Sequence, residues 1–149
     1  MRISSKSHYA VRAMIELALE YNRGYLQLKV IAQRHGISKK FLEQIFILLR
    51  AKGLVDSQRG YSGGFVLSRP PREITVYDIL EALENTMSPV ECIDHPETCD
   101  RHGYCATRKV WIGLRDCIRR ELSAINLAVL AEAQAGKGPC SADSYIYHI

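Results

Sequence analysis

The chain has 149 residues, of which 47% are hydrophobic and 24% are charged. This length and composition indicate one globular domain, or a small domain with an appendage, and exclude an intrinsically disordered chain. No apolar run approaches the roughly 20 residues that a membrane-spanning helix needs. The first residues also lack the apolar core of a secretory signal peptide. We therefore expect a soluble, cytoplasmic protein without membrane partners.

Charge and cysteine are distributed unevenly. Residues 1–75 carry 13 lysines and arginines against 5 acids, a balance of +8, whereas residues 76–149 carry 7 against 11, a balance of −4. A basic half joined to an acidic half indicates a nucleic-acid surface on the first half, the alternative being a mosaic of solvated charges. The five cysteines all lie at or after Cys92. Their odd number argues against a disulfide framework.

The first half predicts three helices and a hairpin. Ser4 or Ser5 caps a helix that runs to about Tyr21, and a short helix over residues 28–35 ends at Gly36. Ser38 caps a third helix over residues 39–52, with an inner face of Phe41, Leu42, Ile45, Phe46, Leu48 and Leu49. Strands over residues 54–58 and 65–68 flank a glycine-rich turn. This order is typical of a helix-turn-helix followed by a β-hairpin wing.

The second half predicts further helices around a loop. Thr75 and Asp78 form a capping box for a helix over residues 76–84, and residues 85–104 have no apolar period. A long helix over residues 105–124 carries an apolar stripe that we expect to pair with a second copy of the chain: Trp111, Leu114, Ile118, Leu122 and Ile125. Asn126 caps a last helix to about Ala133.

The chain therefore divides into four predicted parts. Residues 1–72 form the winged helix-turn-helix, residues 73–104 a connecting helix and loop, residues 105–135 the dimerisation helices, and residues 136–149 a flexible tail. The fold class is mainly α with a small β-hairpin.

Polar residues on the third helix are candidates for reading DNA. Lys39, Lys40 and Arg50 suit phosphates. Gln44 suits adenine, and Glu43 suits cytosine. Arg59, followed by Gly60 in the wing, suits a narrow minor groove. The alternative is a solvated helix face without ligands.

Three of the cysteines predict a metal site. Cys92, Cys99 and Cys105 fall within 14 residues and can converge on an iron–sulfur cluster or zinc. Their spacing is wider than the CxxC of most structural zinc sites, which favours iron–sulfur. The fourth ligand is open among nearby carboxylates and these side chains: His8, His95, His102, Cys117 and Cys140.

The chain resembles the IscR-type iron–sulfur cluster regulators over almost its whole length. The matching segments are Met1-Arg2, Tyr9-Ala10-Val11, Ile31-Ala32, Gly36-Ile37-Ser38, Leu42-Glu43-Gln44, Leu49-Arg50, Gly53-Leu54-Val55, Arg59-Gly60, Gly63-Gly64, the three spaced cysteines and the helix with Trp111. The resemblance implies a dimeric winged-helix transcription factor. IscR members hold a 2Fe–2S cluster and repress cluster-assembly genes, NsrR members hold a cluster that reacts with nitric oxide, and CymR-like members need no cluster.

The resemblance also implies roles for particular residues. The cluster ligands correspond to Cys92, Cys99 and Cys105, and the DNA contacts correspond to Ser38, Glu43, Gln44 and Arg59. IscR has a histidine ligand where this chain has Arg108, and arginine does not ligate metals. NsrR relatives use an acidic residue of the partner subunit where this chain has His8, which makes His8 a candidate fourth ligand.

These observations predict a cytoplasmic, homodimeric repressor that binds roughly palindromic DNA, senses an iron–sulfur cluster and controls cluster-assembly genes. A 2Fe–2S cluster is favoured over 4Fe–4S. The alternatives are a nitric-oxide sensor like NsrR, or a zinc or thiol redox switch on the same fold. An enzyme is not expected, because the sequence offers no catalytic triad, phosphate-binding loop or acid–base pair.

Overall fold

The computed structural model describes residues 3–60, 63–84 and 86–136. The elements, in chain order, are α1 (Ser5–Leu19), α2 (Leu28–His35), α3 (Lys39–Ala51), β1 (Val55–Gln58), β2 (Gly64–Leu67), α4 (Val76–Leu83), α5 (Glu91–Asp94), α6 (Arg108–Ser123) and α7 (Leu127–Ala135). Short 3-10 turns cover Pro71–Glu73 and Pro96–Thr98. The predicted fold class is confirmed. The predicted flexible tail lies, apart from Gly136, outside the described residues, and the four-part division stays a prediction.

The helix-turn-helix is bounded by the capping residues that the sequence predicts. The Ser4 side chain accepts a hydrogen bond from the Ser7 backbone N–H, and the Ser38 side chain accepts one from Phe41. Gly36 ends α2 with a φ of 63°, a left-handed conformation that glycine adopts without steric cost. These caps satisfy donors that a helix end would otherwise leave unpaired, so they set where α1 and α3 begin.

The core lies where one face of α3 meets α1, α2 and the wing. The buried side chains that share this core include Leu42, Ile45, Phe46 and Leu49 of α3 and Ala13 and Met14 of α1. Leu48, predicted on the inner face, is instead 36% exposed. That prediction was wrong because the four buried positions already fill the narrow arc of a helix that faces one core.

The wing is a two-stranded antiparallel hairpin that a third segment extends. Val55 pairs with Leu67, and Gln58 pairs with Gly64. Leu26 joins the outer strand, exchanging two backbone hydrogen bonds of 2.9 Å with Phe65. A Cβ at Gly64 would lie 2.5 Å from the Leu26 carbonyl oxygen, so only glycine allows this close approach.

The second half returns to the same core. Thr75 and Asp78 form the predicted capping box at the start of α4. Backbone hydrogen bonds of 2.9 Å join Val76 to Ile125 and Leu127 to Ile74. Leu127, at the start of α7, is fully buried. Helix α7 packs on α1, so the C-terminal helix contributes to the core of the N-terminal half.

Several predicted boundaries shift. Helix α1 ends at Leu19 and α3 at Ala51, each before its prediction, and α7 extends to Ala135. The segment predicted as a loop contains α5 and a 3-10 turn, because buried Ile93 anchors it. Helix α6 begins at Arg108 rather than Cys105, since Tyr104 and Ala106 are exposed and nothing packs them into a helical turn. Among the described helices, none has the length and apolar content to cross a membrane.

Alanine substitutions at two neighbouring residues of α3 should change the free energy of unfolding by very different amounts. Phe46→Ala should lower the free energy of unfolding by about 3–5 kcal/mol, because it empties a buried site. Ile47→Ala should change it by less than about 0.5 kcal/mol, because that side chain is 67% exposed. Urea unfolding followed by circular dichroism, at one protein concentration, measures both. Equal losses would contradict the orientation of α3.

Candidate functional site

A basic groove lies between α3 and the wing. Its volume is about 760 Å³, and side chains from both elements line it. Its charged residues are Lys29, Lys39, Glu43, Arg50 and Arg59, so four cations face one acid. Lys39 and Glu43 form an ion pair of 3.3 Å across one helical turn. A groove of this charge suits a polyanion.

The predicted DNA-reading residues separate into two groups. Lys39, Glu43, Arg50, Arg59 and Gly60 line the groove. The other three, Ser38, Lys40 and Gln44, are exposed on α3 but do not line it. All eight are exposed, so each can reach a ligand, and their individual roles stay predictions.

Sequence reasoning missed Ile47, which also lines the groove. Its position four residues after Glu43 places both side chains on one helix face, and this spacing was the signal available. Isoleucine carries no charge and no hydrogen-bonding group, so it was not predicted among the DNA-reading residues. The helical period turns it outward, because Phe46 beside it faces the core.

An ion pair of the buried Glu16, also missed, fixes the helix that precedes α3. Glu16 of α1 is buried and lies 2.5 Å from the Arg34 guanidinium and 3.4 Å from the His35 Nε2. Burial lowers the pKa of His35, and the nearby Arg12 guanidinium lowers it further. His35 is therefore neutral at neutral pH, and Glu16 is balanced chiefly by Arg34. This contact ties the end of α2 to α1.

The three predicted metal ligands lie on one segment between α4 and α6. Cys92 is in α5, Cys99 follows the Pro96–Thr98 turn, and Cys105 precedes α6. All three are free thiols and half-buried. Hydrogen bonds from Ser88 (2.6 Å) and Thr86 to the Asp94 carboxylate hold the start of the segment.

The chemistry of this donor set fits a thiophilic metal or an iron–sulfur cluster, because thiolate sulfur is the ligand that such groups prefer. The geometry is not assembled. Within residues 3–60, 63–84 and 86–136, no three His, Cys, Asp or Glu side chains come together to hold a metal ion. The predicted convergence of the cysteines is therefore absent from the single chain, and the ligand set stays a prediction.

The local surroundings of Cys105 favour its thiolate. Its Sγ lies 3.2 Å from the Thr107 hydroxyl. Hydrogen bonding from the Thr107 side chain and backbone lowers the pKa of the Cys105 thiol. Thiolate, rather than thiol, is the form that ligates metals and reacts as a nucleophile.

The other candidate ligands make contacts of their own. His8 is exposed near the start of α1 and contacts the Tyr9 ring. His95 Nδ1 lies 3.2 Å from the Glu97 carboxylate, and His102 Nδ1 lies 3.1 Å from the Cys99 carbonyl oxygen. Cys117 is half-buried on α6, and Cys140 lies outside the described residues.

Glu84 links the end of α4, just before the cysteine segment, to the helix that carries His8. Its Oε1 accepts hydrogen bonds from the Ser4 backbone N–H (2.9 Å) and the Ser7 hydroxyl (2.6 Å). Burial raises the pKa of Glu84, but these hydrogen bonds outweigh burial and lower it overall. The first turn of α1 has no acidic residue of its own. Because a helix N-terminus favours a nearby negative charge, this lack was the only sign in the sequence that a carboxylate from elsewhere in the chain binds there.

Comparisons with known proteins agree on a family. Residues 3–133 match the model of the Rrf2 family, described as iron-dependent transcriptional regulators. The transcriptional regulator CymR of Bacillus subtilis is 38% identical over 149 residues, covering 100% of both chains. IscR of Photorhabdus laumondii is 39% identical over 134 residues, covering 90% of this chain and 81% of its own.

Solved structures show the same similarity. The structure of CymR, described as the global cysteine regulator of B. subtilis, has a TM-score of 0.75 and 40% identity, covering 89% of this chain and 98% of its own. The structure of T. potens IscR has a TM-score of 0.72 and 34% identity, covering 95% of this chain and 94% of its own. The similarity thus extends to relatives named for different roles.

The hydrogen bonds of Glu84 predict a pH-dependent contribution to stability. Because its pKa is lowered in the folded chain, the contribution is present above the unfolded pKa of about 4.3 and is lost as pH falls through the folded pKa. Glu84→Gln should cost about 1 kcal/mol of unfolding free energy at pH 7 and less at pH 4. Chemical denaturation at both pH values tests this, with exposed Glu73→Gln as the control. A Glu84→Gln cost that grows on acidification would contradict the assignment.

Proposed function

Because the chain belongs to the Rrf2 family of transcriptional regulators, we propose that it is a homodimeric repressor whose affinity for DNA depends on an iron–sulfur cluster. The observation that carries this proposal is the set of three free, half-buried cysteines on one segment between α4 and α6. We expect the regulated genes to be those of cluster assembly, as the similarity to IscR implies.

DNA binding is assigned to the groove between α3 and the wing. Lys39, Lys40 and Arg50 neutralise phosphates, while Glu43 and Gln44 read base edges in the major groove, with Ser38 at the start of the helix. Arg59 and Gly60 place the wing at the adjacent minor groove. Two copies of α3 spaced about 34–36 Å apart, one turn of DNA, would read a roughly palindromic site.

The dimer is assigned to α6. No residue of this helix is buried in the described chain, and Val110 and Leu114 are 61% and 43% exposed. On its other side, α6 packs against α4, where the Arg119 guanidinium lies 5.5 Å from the Tyr77 ring centroid. Exposed apolar side chains one turn apart, on a 16-residue helix that buries none of its residues, are typical of a subunit interface.

Cys92, Cys99 and Cys105 would hold the cluster, with His8 of the second subunit as the proposed fourth ligand. When bound, the cluster supplies a group whose oxidation, loss or reaction changes the charge and the order of this segment. The cysteines lie next to α6, and Glu84 joins the same region to the start of α1. Ordering the segment would therefore bias the relative position of the two recognition helices.

A second candidate is a thiol or zinc switch on the same fold. It is favoured by the similarity to CymR, named a cysteine regulator. The lowered pKa of Cys105 suits thiol chemistry as well as metal binding. A nitric-oxide-sensing regulator differs from the main proposal only in its signal and in its cluster. Its cluster would be 4Fe–4S instead of 2Fe–2S.

The α6 interface predicts that one charge separates the dimer. Leu114→Asp should convert the dimer to a monomer at micromolar concentration, because it places a carboxylate within an apolar interface. Ser123→Asp, which adds the same charge at an exposed position of α6, should stay dimeric. Sedimentation equilibrium measures both masses, and a dimeric Leu114→Asp protein would contradict the interface.

A substitution in the cysteine segment should change both the iron content and the DNA affinity. Cys92→Ala should lose most of its iron and change its DNA affinity at least about fivefold, since the two sites are coupled. Cys117→Ala, a thiol outside the segment, should retain both. Iron analysis and a binding titration on oxygen-free protein provide the readouts. Unchanged iron content and DNA affinity in Cys92→Ala would contradict the proposal that the cluster controls DNA binding. An unchanged cluster spectrum and stability in His8→Ala would exclude His8 as the fourth ligand.

The basic groove predicts a steep dependence of DNA binding on salt. The logarithm of the binding constant should fall linearly with the logarithm of salt concentration, and Arg50→Ala should reduce this slope by about 1. Arg120→Ala, on exposed α6, should leave the slope unchanged. Fluorescence anisotropy on a random-sequence duplex measures the slopes. A flat wild-type response would rule out this surface.

A further inference from the structure

Ile47 is an exposed apolar side chain in a groove whose charged residues are mainly basic. It is 67% exposed and lines the groove together with Glu43 and Arg50. The buried side chains of α3 are Leu42, Ile45, Phe46 and Leu49, and Ile47 is not among them. Ile47 thus contributes little to the core, and its exposure leaves apolar surface available for a ligand.

The charge of the groove limits the class of ligand that it can bind. Lys29, Lys39, Arg50 and Arg59 make its rim basic, which suits DNA better than an apolar protein surface. In the major groove, the apolar group on a base edge is the C5-methyl of thymine. A side chain that packs on this methyl distinguishes thymine from cytosine without a hydrogen bond.

We propose that Ile47 is a specificity-determining residue that contacts a thymine methyl in the bound DNA. Ile47 lies one helical turn after Glu43 and three residues after Gln44, so it would reach a base next to those that they read. The inference rests on the proposed function, because it requires α3 to enter the major groove.

The test removes the methyl group alone. A duplex selected from a random library by the full-length wild-type protein, purified without oxygen, supplies the site. Each thymine of this duplex is then replaced, one at a time, by deoxyuridine, which lacks the C5-methyl. Wild-type binding should weaken about three- to fivefold at one thymine of each half-site, as expected for one buried methyl group.

The variants assign this effect to the side chain. Ile47→Ala should bind the thymine and deoxyuridine duplexes almost equally, because its side chain ends at Cβ and no longer reaches the methyl group. Leu48→Ala, its partly exposed neighbour outside the groove, should keep the wild-type difference. Circular dichroism confirms that each variant is folded.

The outcomes separate this inference from the proposed function. A wild type that binds its selected duplex equally well whichever thymine is replaced overturns the role of Ile47 alone. An Ile47→Ala protein that still distinguishes thymine from deoxyuridine does the same. A wild type that selects and binds no duplex overturns the proposed function together with this inference.

Discussion

The ring of Phe46 packs edge-on against the ring of Phe65, with centroids 4.7 Å apart, and this contact joins α3 to the wing. Phe46 is buried among the inner residues of α3, and Phe65 is held by backbone hydrogen bonds to Leu26. One aromatic pair therefore fixes the groove between α3 and the hairpin. The outward direction of Glu43, Ile47 and Arg50 follows, because a helix that buries one face must present the other.

The second half is attached to this unit at several points, so that a change in one part can reach another. Helix α7 packs on α1, and Glu84 holds the first turn of α1 from the end of α4. The cysteine segment runs between α4 and α6, and α6 exposes the apolar side chains of Val110 and Leu114. Family members with different sensors can share this frame, since the core does not require the cysteines.

Local patterns predicted the fold well, because capping and periodicity act within a few residues. Ser38, Gly36 and the Thr75–Asp78 box mark helix ends through short-range hydrogen bonds. Contacts between distant residues were missed, including Glu84 with Ser7 and Glu16 with Arg34, because no spacing encodes them. The charged groove residues of α3 were predicted, whereas apolar Ile47 and Lys29 of α2 were not. Whether the three cysteines converge depends on a bound group or on a second subunit. The spacing of the cysteines along one sequence encodes neither.

The content of iron, sulfide and zinc per chain, measured on wild-type protein purified without oxygen, decides whether this regulator holds an iron–sulfur cluster. We expect about two irons and two sulfides per chain with a visible absorption spectrum, whereas about four of each would favour a cluster of the NsrR kind. Protein that contains zinc or no metal, and that takes up no cluster on reconstitution, would contradict the proposed cluster and leave the thiol or zinc switch.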